Sequence, residues 1–131
     1  MNKCILSIET TTNICSVSLF KNSELIIIKE DSNRNHSSLL GQFVDEIFQK
    51  SVIDVNDLDA IALSIGPGSY TGLRIGLSFA KGMAFALNKP IIPINTIDSI
   101  NDLIKDLNYF VILPAYKNCF FIQEYRGGIK F

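Results

Sequence analysis

Gly66-Pro67-Gly68-Ser69-Tyr70-Thr71-Gly72-Leu73-Arg74-Ile75-Gly76 is the stretch whose reading decides the fold. The segment before it, Leu58 to Ile65, is almost wholly apolar, as expected of a parallel strand covered on both faces. The segment after it, about Gly72 to Asn88, is rich in small and apolar residues and stops short of Pro90. Strand, glycine turn and helix start outline a unit in which the backbone comes close to a neighbour. Free N–H groups and the helix dipole converge at such a place, so it is a ready anion site. The spacing argues the other way. Gly66, Gly68 and Gly72 read G-x-G-x-x-x-G rather than the dinucleotide G-x-G-x-x-G, and no Lys-Ser or Lys-Thr closes the loop as in a P-loop. A phosphate cradle and a tight structural turn both stay open for Gly66, Pro67, Gly68, Ser69, Tyr70, Thr71 and Arg74.

The helix behind the loop places Gly72, Gly76, Ala80 and Ala84 at successive i, i+4 positions, a smooth ridge against which another helix could pack. Its charges are Arg74 and Lys81, while Leu73, Ile75, Leu77, Phe79, Met83, Phe85 and Leu87 are apolar. One sheet face does not cover all of them. A helix sandwiched within its own domain and a subunit interface are the two readings, and the second is preferred.

Working outward, Lys3 to Glu9, Ile14 to Phe20 and Glu24 to Lys29 read as strands of a three-stranded antiparallel meander. After a polar loop, His36-Ser37-Ser38 can cap a helix on which Leu39, Leu40, Phe43, Val44, Ile47 and Phe48 form a stripe. That stripe is broad enough to cover a sheet and still offer an edge to a neighbour. Ile91 to Ile94 is a further strand, followed by a cap at Asn95-Thr96 and a helix carrying Ile97, Ile100, Leu103, Ile104 and Leu107. Strands alternating with helices imply right-handed crossovers and a parallel part of the sheet. Tyr109 to Leu113 and Asn118 to Tyr125 read as two more strands. The expected division is residues 1–107 as an α/β unit and 108–131 as the shortened start of a second subdomain.

Composition narrows the function. The chain of 131 residues is 47% hydrophobic and 19% charged, which suits a packed core. Its net charge is −1 with no run of Lys or Arg, so it has no electrostatic footprint for gripping a phosphate backbone unaided. Cys4, Cys15 and Cys119 form no C-x-x-C pair and fit reduced thiols, hence a cytoplasmic location. Glu9 interrupts any signal-like apolar region, and no apolar run reaches the ~18 residues of a spanning helix, so no membrane partner is expected.

Candidate chemistry is thin. Glu9-Thr10-Thr11-Thr12 sets a carboxylate and hydroxyls at a strand end, where a phosphotransferase could hold Mg²⁺ and phosphate, but a capped hairpin turn explains the same residues. His36, the single histidine, reads as a cap neighbour, and adjacent residues on a helix do not face each other, so His36 and Ser37 are not a catalytic pair. No residue is assigned a catalytic role, and no metal or cofactor is expected.

Ile8-Glu9-Thr10-Thr11-Thr12, Cys15-Ser16-Val17-Ser18-Leu19, His36-Ser37, Asp57-Leu58-Asp59-Ala60-Ile61, the glycine stretch and Pro90-Ile91-Ile92-Pro93-Ile94-Asn95-Thr96 together resemble the TsaB (YeaZ) family, in matching order over about the first hundred residues. The resemblance implies an actin/Hsp70/sugar-kinase-like (ribonuclease H-like) α/β fold. Its mixed five-stranded sheet would combine an antiparallel meander with parallel strands and carry helices on both faces. It implies a decayed nucleotide site, here Glu9, Thr10 and Thr11, in a non-catalytic scaffold subunit. Such a subunit pairs with the catalytic subunit TsaD and the ATPase TsaE, in a complex that places threonylcarbamoyl on N6 of the adenosine 3′ of the anticodon. tRNA would be met only through the complex. The family's dimer contact uses its first two helices, which here carry Leu39, Leu40, Phe43 and Ile47 on one, and Gly72, Leu73, Gly76, Leu77, Ala80, Met83 and Ala84 on the other. Homodimerisation through them is a further expectation.

Three departures stand against the pattern: Glu9 where relatives usually have Asp, Ala115-Tyr116-Lys117-Asn118-Cys119 in place of an Asp-Ala-Arg type pattern, and a second subdomain mostly missing. The rival reading is a small kinase-like or peptidase-like enzyme using a cleft near Glu9 and Gly68. A shortened chain that no longer folds well is a third.

Overall fold

The computed structural model describes residues 2–33, 35–102, 104 and 108–131. Strand β1 (Cys4–Glu9) pairs antiparallel with β2 (Cys15–Lys21), and β2 pairs antiparallel with β3 (Glu24–Asp31), the expected meander. β4 (Ala60–Ser64) then lies parallel to β1, and β5 (Ile91–Ile94) parallel to β4, giving the order β3-β2-β1-β4-β5. Helix α1 (His36–Ser51) joins β3 to β4, and α2 (Tyr70–Leu87) joins β4 to β5. Alternation in β1 shows how the sheet is covered: Cys4, Leu6 and Ile8 are buried while Ile5, Ser7 and Glu9 are half-buried.

The expectation of helices on both faces is corrected. Leu6, Ile8, Val17, Leu19, Ile61 and Leu63 share one core with Leu40, Phe43, Val44 and Ile47 of α1 and Ala80 of α2. Both long helices therefore lie on one face. The strand order explains why. β3, β1 and β4 run in the same direction, so α1 and α2 both belong to parallel crossovers, and both step across the sheet in the same sense. Crossovers of one hand that step the same way must place their helices on the same side. On the opposite face a concavity of about 950 Å³ lies among Ile5, Ser7, Phe20, Ala62 and Ile94, beside Lys3 and Asn22.

α1 is tied to β3 by Glu46, whose carboxylate meets Lys29 Nζ at 2.7 Å and Lys50 Nζ at 3.6 Å. The hydrogen bond from Lys29 is the main reason its pKa falls to about 2. Helix α3 (Thr96–Asn101) is capped by Asn95, whose side chain accepts from the N–H groups of Ile97 and Asp98. Leu103 and Leu107, expected on this helix, lie outside the described residues.

A second, antiparallel sheet follows, β6 (Asn108–Pro114), β7 (Phe120–Arg126) and β8 (Ile129–Lys130), of which the two-residue β8 was not expected. Its inner face sets Val111, Leu113 and Tyr125 against Ile97 of α3. The Tyr125 hydroxyl donates to Asp98 Oδ1 at 2.9 Å, and the rings of Tyr109 and Tyr125 stack with centroids 5.3 Å apart. Among the described residues no helix is long and apolar enough to cross a membrane.

Candidate functional site

β1 and β4 are parallel neighbours, so the loops leaving their C-terminal ends emerge side by side. In an open α/β sheet that edge is where ligands bind. Glu9 ends β1 and the turn after it carries Thr10 and Thr11; the loop after β4 is the glycine stretch.

Hydrogen bonds between them run in a chain. Gly66 N–H donates to Thr96 Oγ1 at 3.2 Å, Thr96 Oγ1 donates to Thr11 Oγ1 at 3.3 Å, and Thr11 Oγ1 donates to Glu9 Oε1 at 2.5 Å. The Thr11 N–H donates to the same carboxylate oxygen at 2.5 Å. Thr10 sends its hydroxyl to Gly72 O at 2.7 Å, while Ser69 N–H donates to Thr11 O at 2.6 Å. Thr10, Thr11 and Thr96 are buried, so each hydroxyl needs such a partner. Ser69 caps α2 by accepting from Gly72 N–H at 3.1 Å.

The glycines are explained by this approach. A Cβ on Gly68 would lie 2.7 Å from Thr11 Cβ, and one on Gly72 would overlap the Thr10 carbonyl oxygen. On Gly76 it would overlap Thr10 Oγ1 and stand 3.3 Å from Leu63 Cδ1. Gly66 has φ +104°, a conformation that suits glycine. The space a phosphate cradle would offer is filled by the chain's own turn, and the N–H groups of Gly66, Ser69 and Gly72 are directed to internal acceptors. Glu9 folds back onto Thr11. No group of three or more His, Cys, Asp or Glu side chains among the described residues is arranged to hold a metal.

The ridge Gly72, Gly76 and Ala80, expected to receive a partner helix, is buried against Thr10 and the sheet, and Ala84 packs against the same core. This corrects the interface reading. The i, i+4 spacing identifies a smooth face without saying which way it points, and Thr10, 62 residues away in sequence from Gly72, decides the direction. On α1, Leu40, Phe43 and Ile47 also point into the core, with Leu39 half-buried. Leu73 and Met83 are half-buried on α2, leaving Leu77 as the exposed member of the expected set.

The outer face of α2 carries Tyr70, Arg74, Leu77, Ser78, Lys81, Gly82, Phe85 and Ala86. The Arg74 guanidinium sits 4.5 Å above the Tyr70 ring. Phe85 is 91% exposed, and a Cβ on Gly82 would meet nothing within 4 Å. Ser78, Gly82 and Ala86 form a second smooth row that the sequence reading missed, although its i, i+4 spacing was visible.

His36 joins α1 to the same turn, its Nε2 standing 2.8 Å from Thr12 O. It is buried, with Nδ1 making no hydrogen bond. His36 is the neighbour of the N-cap residue Asn35, whose side chain makes no capping bond, so the stretch His36-Ser37-Ser38 starts the helix rather than capping it.

These features define an α/β unit with a mixed five-stranded sheet in which the acid-and-hydroxyl turn is packed into its own glycine loop. Residues 25–104 match the family model described as TsaD, tRNA N6-adenosine threonylcarbamoyltransferase. The tRNA threonylcarbamoyladenosine biosynthesis protein TsaB of Haemophilus influenzae is 37% identical over 98% of this chain and 57% of its own length. The tRNA N6-adenosine threonylcarbamoyltransferase of Prosthecochloris aestuarii is 34% identical over 72% of this chain and 32% of its own. Among solved structures, YeaZ from Pseudomonas aeruginosa superposes with a TM-score of 0.85 at 23% identity, over 98% of this chain and 63% of that one. The chain belongs to the TsaB (YeaZ) family, within the TsaD-like group of proteins. It spans about half the length of the TsaB relatives it matches and about a third of the threonylcarbamoyltransferase.

Proposed function

We propose that this chain serves tRNA threonylcarbamoyladenosine biosynthesis as a non-catalytic scaffold, pairing with a TsaD-type catalytic subunit through the outer faces of α1 and α2. The observation that carries the reading is the unpartnered face of α2, where Phe85 and Leu77 stand exposed beside Gly82. The packed Glu9–Thr11 turn supports the non-catalytic half of the reading, because a carboxylate bonded to its own turn is not free to hold a metal. A TsaE-type ATPase and tRNA enter through the catalytic subunit.

The test is co-elution with a TsaD protein. Phe85→Asp places a charge in the contact and weakens co-elution at least about tenfold, as loss of a buried aromatic anchor does, while circular dichroism stays unchanged because the site is exposed. Undiminished pairing of Phe85→Asp, with the fold intact, sinks the interface assignment. Gly76→Leu is the wrong probe, since that side chain would collide with Thr10 and Leu63 inside the chain. Saturable binding of ATP with Mg²⁺, abolished by Glu9→Ala, would favour the rival kinase-like or peptidase-like enzyme.

A further inference from the structure

The outer face of α2 carries charge of one sign. At about 100° per residue, Tyr70, Arg74, Leu77, Lys81 and Phe85 fall within a sector of about 80°, and all five are exposed. They form a stripe in which two cations alternate with aromatic and aliphatic side chains, while Gly72, Gly76 and Ala80 on the inner face are buried. α2 contains no Asp or Glu. Among the described residues neither Arg74 nor Lys81 makes an ion pair. Arg74 rests instead on the Tyr70 ring, 4.5 Å from its centroid. The carboxylates of the neighbouring helix α1 are engaged on α1 and β3, Glu46 by Lys29 and Lys50, and Asp45 by the Gln49 amide.

Such a stripe selects what can cover it. A cation taken out of water at a contact without a counter-charge is left uncompensated, so an occupant must bring carboxylates of its own. Arg74 and Lys81 are seven residues apart, about 10 Å along the helix. A facing helix reproduces that spacing with two acids seven residues apart, set among apolar positions that meet Leu77 and Phe85. A second α2 does not, since it sets cation against cation. A nucleic-acid backbone is also a poor match, because two cations release only about two counterions, and they belong to a chain of net charge −1.

We propose that the helix received by this stripe presents an acidic face, and that Arg74 and Lys81 steer a TsaD-type subunit onto α2. This rests on the reading that α2 pairs with such a subunit, and adds the chemistry of the partner's surface. Charges at the rim of a contact act on the rate of encounter, whereas loss of a buried anchor such as Phe85 shows in the rate of escape. The two kinds of side chain on the stripe thus govern different steps of one association.

Association and dissociation rates of the purified chain with a TsaD protein, measured over a series of salt concentrations, test the proposal. The on-rate of the unaltered chain is expected to fall about tenfold or more from low to high salt, as the attraction is screened. Lys81→Glu and, independently, Arg74→Glu each lower the low-salt on-rate about tenfold, converge on the unaltered chain at high salt, and leave far-UV circular dichroism unchanged because both residues are exposed. Lys117→Glu, on the turn between β6 and β7, alters net charge equally and leaves the on-rate unchanged. The proposal is overturned if both α2 variants associate at the unaltered rate, or faster, while Phe85→Asp still weakens pairing; the pairing face then stands and its acidic complement does not. It is also overturned if Lys117→Glu slows association as much as Lys81→Glu, or if tRNA binds the chain alone and is lost with Lys81→Glu. Undiminished pairing of Phe85→Asp removes the underlying reading, and this proposal with it.

Discussion

Gly72 and Thr10 show how much of the fold rests on one pair. The Thr10 hydroxyl bonds the Gly72 carbonyl at 2.7 Å, and the Thr10 carbonyl occupies the space a Gly72 side chain would need. Alanine is ordinarily preferred to glycine inside a helix by about 1 kcal/mol. Here that preference is overridden, because the obstructing atom is backbone and belongs to a turn that also holds Glu9, Thr11 and Ser69. Gly72→Ala is expected to destabilise the chain by about 3 kcal/mol through overpacking, lowering the melting temperature on the order of 10 °C. A calorimetric scan decides it, and an unchanged or raised melting temperature would mean that the turn can withdraw from the helix. The identities of the residues at this junction were legible in the sequence as a carboxylate, hydroxyls and glycines. Their use was not, since a turn filling a glycine loop and a phosphate filling it call for the same residue types.

At the scale of the element, α2 carries two smooth rows, and the fold uses them oppositely. Gly72, Gly76 and Ala80 meet the chain's own sheet, whereas Ser78, Gly82 and Ala86 face outward. Gly82 has open space where a Cβ would stand. Gly82→Ala should therefore stabilise the isolated chain by about 1 kcal/mol through helix propensity alone, raising the melting temperature by about 4 °C. The same glycine-to-alanine change thus has opposite signs one face apart. A fall in the melting temperature of Gly82→Ala would show that the outer face is already occupied in the purified protein. Helical periodicity made α2 readable because period is a local property. The inward face was not readable, because it is chosen by a residue that reaches the helix only after β1 and β4 have paired. The side of the sheet taken by α1 and α2 was within reach, since strand order and crossover hand together require a common side.

For the whole molecule, the two sheets are unequal in what they bury. Among the described residues the five-stranded sheet shares fourteen buried apolar side chains with α1 and α2, whereas the second sheet rests on Ile97, Val111, Leu113 and Tyr125. The weaker unit should open first, and Tyr125 provides a handle on it. Burial is the main cause that pushes its phenol up to about 12 from the ordinary 10, with the hydrogen bond to Asp98 adding to the effect. A raised folded-state pKa means that Tyr125 contributes stability in full below pH 10, and that this contribution is lost as pH rises through 12. Between those limits the unfolded tyrosine ionises while the folded one keeps its proton and donates it to Asp98 Oδ1. Urea unfolding followed by near-UV circular dichroism of the tyrosines, two of the chain's four being Tyr109 and Tyr125, should show a midpoint that falls across this window. The far-UV midpoint, which reports mainly the larger unit, should fall less. Tyr125→Phe removes the ionisable group and should flatten the near-UV dependence, after an initial loss of about 1 kcal/mol for the Asp98 hydrogen bond. If the two midpoints coincide and fall together in both proteins, α3 couples the sheets into one cooperative unit, and the four-residue cluster is a stronger joint than its buried area implies.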